Sequence, residues 1–360
     1  MPPPKVSRAK LAPRSRFANL LSLASRHTKA LWYVLTVLLP VIIRTGKKPV
    51  IFSKYSGIGD IICTLPAAVE LKKRHPGHEI IYNCFKDYSC LPRLGGITNH
   101  VTNLDAIGVV SYWYGFLLAG FYQFASQDDA AVDHTEMYIK DFANRFGVTV
   151  EDSHPRMQMN PVVIDRMKTL LEHHGIDIAK TPIIAIHPGP TLPVREWPGE
   201  HWLNLVSRLR EKGLTNIIQL GTGKILRFGD VAVSSLSGTV QFLNQLTLEE
   251  TIAIISISNL FVGVDSGLLH AAVSVGTPSV GLWGATSPRF RYSTVESRSF
   301  VVSTVECQGC HHRQPVLHWD TGCPFDIRCM KSITVDEVMQ ACVAEMSMDK
   351  QAPEGFPGRA

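Results

Sequence analysis

The chain has 360 residues, 45% of them hydrophobic and 19% charged, which suits a soluble protein of two ordinary domains. Its formal charge of +5 is unevenly spread: residues 1–59 hold eleven Lys or Arg and no Asp or Glu, and the remainder holds 25 basic against 31 acidic residues. A basic leader on a mildly acidic body excludes a whole-surface nucleic-acid footprint.

Lys5, Arg8, Lys10, Arg14, Arg16, Arg26 and Lys29 precede the apolar run Ala30 to Ile43, which Arg44, Lys47 and Lys48 close. The run is too short to span a bilayer comfortably, and Pro40 interrupts it. Basic residues on both sides and the lack of a small-residue cleavage site argue against a removed secretory signal. A basic, Trp/Tyr-containing segment of this kind reads as one lying in the headgroup region of an anionic inner leaflet. A disordered tail followed by one buried helix is the alternative.

The first folded strand spans Pro49 to Lys54, followed by Tyr55-Ser56-Gly57-Ile58-Gly59-Asp60 and a helix beginning near Ile61. Gly57 and Gly59 let the backbone turn sharply and approach a ligand. Asp60 falls at or just inside the helix N-terminus, either as a simple cap or as a side chain facing the same cleft. This is neither a GxGxxG dinucleotide fingerprint nor a Walker loop. Another strand runs from Glu79 to Cys84. The aromatic stretch Tyr112 to Phe124 reads equally as core or as an acceptor- or membrane-facing loop. Asp133 to Phe146 has an amphipathic helix pattern, Pro155 to Pro161 reads as a strand, and Val162 to His174 as a helix.

The second half opens with the strand Ile183 to His187 and the loop His187-Pro188-Gly189-Pro190-Thr191. Arg195-Glu196-Trp197-Pro198 precedes a helix from about Glu200, with Trp202, Leu205, Val206 and Leu209 on its apolar face. A strand at Asn216 to Leu220 and a helix at Leu248 to Ser256 follow. Leu260 to Val264 is an apolar run of the buried parallel type. Asp265-Ser266-Gly267 stands at its carboxyl end, a small-residue helix covers Leu268 to Val275, and Ser279 to Trp283 is the next strand. This βαβ unit places a helix N-terminus where open α/β sheets bind anions, with the N–H groups near Ser266 and Gly267 able to hold a diphosphate without a lysine. An ordinary βα turn with no ligand is the plain alternative. Alternating strands and helices in both halves predict an α/β protein with two parallel-sheet domains facing across a cleft.

Four of the eight cysteines fall at Cys307, Cys310, Cys323 and Cys329, a spacing suited to a tetrahedral thiolate site for zinc or iron. Buried reduced thiols or a disulfide are the alternatives, the disulfide being disfavoured in a reducing cytosol. Four thiolates leave no open position, so such a metal reads as structural rather than catalytic.

Taken together, these motifs resemble glycosyltransferase family 9, the heptosyltransferases of lipopolysaccharide core assembly. Ser56, Gly59, Asp60 and Pro66 match its S-x-x-G-D-x-x-x-x-x-P pattern. His187 to Gly189 with Arg195 to Pro198 match HPG…(K/R)xWP. Asp265, Ser266, Gly267, His270 and Ala272 match D-(S/T)-G-x-x-H-x-A, and Gly284, Thr286 and Pro288 match G-x-T-x-P. The resemblance covers roughly residues 49–345, in family order. It implies a GT-B fold: a leader over 1–48, a Rossmann-like acceptor domain over 49–178, a donor-binding domain over 179–345 and a disordered tail over 346–360. It further implies inverting, metal-independent transfer from a nucleotide-diphosphate sugar, commonly ADP-heptose, to a glycolipid acceptor at the cytoplasmic face of the inner membrane.

On this resemblance Asp60 is the candidate base, and Gly57 and Gly59 shape the acceptor loop. Thr191, Arg195, Asp265, Ser266, Gly267 and His270 are the candidate donor-site residues, Arg195 standing where the family usually has a lysine. After the Asn216–Leu220 strand some members carry a glutamate that contacts the nucleoside; here the loop reads Gly221-Thr222-Gly223-Lys224-Ile225, so ADP is not implied over GDP or UDP. Similar four-cysteine segments occur in some members, including protein-heptosylating ones with an iron site. A heptosyltransferase acting on protein, a sugar-nucleotide epimerase and a catalytically silent scaffold are the competing classes.

Overall fold

The computed structural model describes residues 16–54, 56–98, 100–103, 143, 147–189, 192–222, 226–228, 231–233, 235–292, 299–313 and 323–348. The aromatic stretch Tyr112 to Phe124, nearly all of the expected helix Asp133 to Phe146, Thr191, and most of the expected tail lie outside them. The chain divides into two compact units, one of residues 1–51, 77–79 and 104–124, the other of 52–76, 80–103 and 125–360.

In the first unit the leader is helical: α1 (Arg16–Tyr33), a π-turn (Val34–Leu38) and α2 (Leu39–Thr45). The expectation that Pro40 interrupts this segment is corrected. Pro40 has no N–H to donate and sits at the start of α2, where the widened π-turn before it absorbs the loss. Ser22–Thr45 therefore forms 24 continuous helical residues, by length and composition enough to cross a membrane, which also corrects the expectation of a run too short to span. Ala30, Tyr33, Val34, Leu38 and Val41 form its buried face, while Trp32 (65% exposed) and Ile43 (75%) stand out on another.

Next come β1 (Lys48–Ser53), α3 (Ile58–Arg74), β2 (His78–Asn83), α4 (Cys90–Leu94) and β3 (Val101–Thr102). The strands lie in the order β1-β2-β3. Helix α3 begins three residues before the expected start, with Gly57 as its N-cap, so Gly59 and Asp60 are already helical. Pro155 to Pro161 is not a sheet strand: its backbone N–H groups bond outward singly, Met157 to Ser274 O (2.9 Å) and Gln158 to Leu94 O (2.8 Å).

The second unit continues with α5 (Pro161–His173), β4 (Ile183–His187), α6 (Gly199–Glu211), β5 (Asn216–Gly221), β6 (Leu226–Phe228), β7 (Val231–Val233), β8 (Val240–Leu243), α7 (Leu248–Ile257) and β9 (Leu260–Val264). It then adds α8 (Gly267–Ser274), β10 (Ser279–Trp283), β11 (Ser299–Val302), α9 (Cys310–Arg313), α10 (Arg328–Lys331) and α11 (Val335–Met348). Six parallel strands run in the order β11-β10-β9-β4-β5-β8. All five residues of β4, β9 and β10 are buried, which is why these strands are unbroken apolar runs rather than alternating ones. Trp202, Leu205, Val206 and Leu209 of α6 pack on this sheet as the helical period requires, each such residue contributing about 1.5–3 kcal/mol by leaving water.

Candidate active site

The carboxyl ends of β4, β9 and β10, central in the sheet, each deliver part of one polar cluster. At the end of β4, His187 turns inward and donates from Nδ1 to Leu220 O (3.0 Å). Burial holds its pKa below the ordinary value. A Cβ on Gly221, whose φ is +129°, would meet that ring at 2.8 Å, so glycine is required there. The chain then makes a 3-10 turn, Pro193–Arg195, and plunges Trp197 into the core, where Nε1 donates to Ile333 O (2.9 Å). That anchor fixes Arg195, whose Nη1 donates to Asp265 O (3.1 Å) and lies 3.4 Å from Asp265 Oδ2.

After β9, Asp265 is buried. Thr286, from the loop after β10, donates to its Oδ2 (2.5 Å), and His270 Nε2 stands 3.4 Å from Oδ1. Burial alone would raise the Asp265 pKa, but Arg195 and His270 outweigh it and hold the carboxyl far below the usual range. His270 meets the Tyr292 hydroxyl through Nδ1 (2.5 Å). Burial opposes its charge, yet the neighbouring Cys63 sulfur and Asp265 carboxylate more than offset this, and its pKa is held up at about 9. Ser266 is the N-cap of α8, but its hydroxyl bonds no backbone N–H of that helix and, among the described residues, is buried without a hydrogen-bond partner. A polar group left so is costly in the free protein and available to a ligand.

The amino end of α3 abuts the amino end of α8. A Cβ on Gly59 would come within 2.5 Å of His270 Cδ2, and one on Gly267 within 2.6 Å of Ile58 Cβ. Only glycine at both positions lets the two first turns touch. Asp60 thereby reaches the cluster: its Oδ2 accepts from Ser56 Oγ (2.5 Å), and its Oδ1 lies 3.9 Å from Arg291 Nη1. Burial works to raise the Asp60 pKa, but Arg291, Ser56 and Lys54 together keep it below the ordinary value. The carboxylate is ionised at neutral pH and still 29% exposed, as a proton acceptor must be.

Asp60, Gly59, Arg195, Asp265, Ser266, Gly267 and His270 are thus brought together, with Gly57 capping the helix that carries Asp60; Thr191 lies outside the described residues. Sequence reasoning missed Arg291 and Tyr292 altogether. It quoted Ser56 and Thr286 only as pattern positions, without their carboxylate partners. It also gave no role to Glu196, buried beside Arg195, whose carboxyl burial pushes up to about 7.

The four-cysteine segment packs behind this cluster. Gly309 N bonds Gly284 O (2.9 Å), His311 N bonds Ala285 O (2.9 Å), and Gln308 Nε2 bonds Thr286 O (3.0 Å). The segment braces the very loop that carries Thr286. Among the described residues no three His, Cys, Asp or Glu side chains converge into a set that could hold a metal ion. The expected thiolate site is therefore not assembled in this arrangement, and all eight cysteines are free thiols.

Residues 115–319, more than half of the chain, match the family model of glycosyltransferase family 9 (heptosyltransferase). The chain belongs to this family. Among curated relatives, lipopolysaccharide heptosyltransferase 2 of Salmonella typhimurium is 28% identical over 118 residues, 31% of this chain and 34% of that protein. Lipopolysaccharide heptosyltransferase 1 of Pseudomonas aeruginosa is 27% identical over 130 residues, 36% of each. The chain thus matches about a third of the length of these relatives. Among solved structures, the iron-containing dodecameric glycosyltransferase TibC of enterotoxigenic E. coli aligns with a TM-score of 0.65 at 15% identity, covering 84% of this chain and 80% of that one. A family 9 glycosyltransferase of Veillonella parvula aligns at 0.63 and 16%, covering 83% and 97%. These likenesses show the fold, the α/β GT-B architecture with parallel sheets.

Proposed function

We propose that this family member is an inverting glycosyltransferase that moves a sugar, heptose in the first instance, from a nucleoside-diphosphate donor to a hydroxyl of a lipopolysaccharide core or related glycan. The observation that carries this is the abutment of α3 and α8. It sets an ionised, partly exposed carboxylate beside a helix N-terminus and a buried serine hydroxyl, the pairing that proton removal and diphosphate departure require.

In this reading the acceptor hydroxyl gives its proton to Asp60 as its oxygen bonds the anomeric carbon. The bond to the diphosphate oxygen breaks on the opposite face. The negative charge gathering on the diphosphate falls to Arg195 and to the N–H groups and hydroxyl at Ser266 and Gly267. Asp265 acts as a buried hub, fixing Arg195, His270 and Thr286. No step needs a resident metal. For the four cysteines the reading is structural: zinc or iron there would require the sulfurs to ionise and draw together, and would complete no step at Asp60. Similarity to lipopolysaccharide heptosyltransferases and to an ADP-heptose-utilising fold relative supports the choice of sugar and acceptor.

The leader completes the reading. Leu23, Trp32, Leu35 and Ile43 are exposed on a helix flanked by Arg26, Lys29, Arg44 and Lys47, which suits the cytoplasmic face of an anionic membrane where a glycolipid acceptor is held. Deleting residues 1–45 should abolish sedimentation with anionic vesicles and leave that with neutral vesicles low.

The test of the activity is release of nucleoside diphosphate from ADP-heptose in the presence of heptose-deficient lipopolysaccharide core. Wild type should turn over, and Asp60→Asn should lose about 10²–10⁴ in rate while binding ADP. Nucleotide binding without turnover on any glycan acceptor would instead favour the silent scaffold, and turnover only on polypeptide the protein-acting enzyme.

A further inference from the structure

Arg291 belongs to no motif, yet it is placed with care. It follows the 3-10 turn Pro288–Phe290 and returns its N–H to Pro288 O (2.8 Å). Its neighbour Tyr292 is pinned by the His270 hydrogen bond and by stacking on Phe300, with ring centroids 5.2 Å apart. The Arg291 side chain is only 12% exposed, and the carboxylate facing it is that of Asp60, at 3.9 Å. This separation is an ion pair without a direct hydrogen bond, loose for a guanidinium built to form bidentate ones.

The charge of Arg291 also acts on Arg195, whose cation it disfavours, and on Asp265, whose carboxylate it favours. Two guanidiniums in a poorly hydrated cluster repel each other, and an anion received between them relieves that repulsion. The amino end of α8 and the Ser266 hydroxyl, buried without a partner among the described residues, belong to the same cluster.

We propose that Arg291 is a second cation for the donor diphosphate, held by Asp60 in the free protein and drawn onto phosphoryl oxygens when the donor arrives. This rests on the function proposed above and deepens it. The exchange has a chemical consequence: Asp60 gives up its nearest cation as the donor binds, and becomes a stronger base only when there is a sugar to transfer. Arg291 thus favours a diphosphate over a monophosphate, and donor before acceptor.

The test is calorimetric titration of the full chain with ADP, GDP and UDP, then with the monophosphate of whichever binds best, on wild type, Arg291→Gln, Arg291→Lys, Asp60→Asn and the Arg291→Gln/Asp60→Asn double variant. Arg291→Gln should weaken the diphosphate at least tenfold and the monophosphate by less than threefold, with Arg291→Lys in between. Asp60→Asn should tighten the diphosphate, by releasing Arg291, and that gain should vanish in the double variant. A merely structural Arg291 would weaken both nucleotides alike, with a lowered melting temperature, and Asp60→Asn would bring no gain; that pattern overturns the proposal. So does undiminished binding by Arg291→Gln. If wild type binds no nucleotide at all, the donor-site reading itself falls and this proposal with it.

Discussion

His270 Nε2 stands 3.4 Å from Asp265 Oδ1, with both side chains buried and the Tyr292 hydroxyl closing the far side of the ring. The pair makes the protein's stability depend on pH. Folding raises the His270 pKa from 6.5 to about 9, so the folded state binds the proton more tightly than the unfolded one. Its contribution is complete below pH 6.5 and is lost as pH rises through about 9. Thermal melts of wild type should decline across that window, and the decline should be smaller in His270→Asn.

Glu196 gives a second, lower window with the same sign. Burial raises its pKa from 4.5 to about 7, so the fold favours the neutral acid, and stability falls between those values. Each tenfold gain in proton affinity on folding corresponds to about 1.4 kcal/mol, which makes a buried glutamate a liability at neutral pH. Glu196→Gln should therefore be more stable than wild type in urea at pH 8 and indistinguishable from it at pH 4.5. Equal stability at pH 8 would show that the carboxylate finds compensation on ionising.

The helix abutment can be probed by a single methyl group. Gly267→Ala places a Cβ 2.6 Å from Ile58 Cβ, an atom close to the backbone with little room to retreat. We expect a loss of about 1–3 kcal/mol from overpacking, and weaker nucleotide binding as the amino end of α8 is pushed away from α3. Gly57→Ala is the control, since its Cβ would meet Asp60 Oδ2 at an ordinary 3.6 Å and should cost much less.

The cysteine segment should matter through the loop it braces. A Cβ on Gly284 would lie 2.5 Å from Met330 Sδ and 2.9 Å from Cys329 Sγ, so Gly284→Ala should loosen the loop that presents Thr286 to Asp265. Burial pushes Cys329 and Cys342 up to about 12, and both thiols should resist alkylation at pH 8 in wild type. In Gly284→Ala, Cys329 should react faster while Cys342 does not, as read by mass spectrometry of the modified peptides.

How much of this was legible in the sequence depended on the kind of signal. The bounds of β4, β9 and β10 follow from largely apolar runs closed by His187, Asp265 and Gly284, as strands covered on both faces of a parallel sheet require. Strands β8 and β11 carry no such run: Val240, Gln241 and Leu243 are only partly buried, and the sheet's edges recruit them. Pro155 to Pro161 imitates a strand because extended backbone needs only apolar alternation, while pairing needs a neighbour. Arg291 was invisible for another reason. Nothing in Pro288-Arg289-Phe290-Arg291 tells which arginine turns inward; the anchoring of Tyr292 by His270, 22 residues earlier, decides it.

The parallel order β10-β9-β4 also governs when the site can come into being. Arg195, Asp265 and Thr286 each follow a different one of these strands, and β4 lies beside β9, with Ile184 opposite Leu260, although the two are far apart in the chain. A chain emerging from the ribosome would hold the arginine and its strand long before the segment that pairs Asp265 with Thr286 has been made. Nucleotide cannot stabilise a half-built sheet of this kind, so ligand-assisted folding is open only to the nearly finished polypeptide.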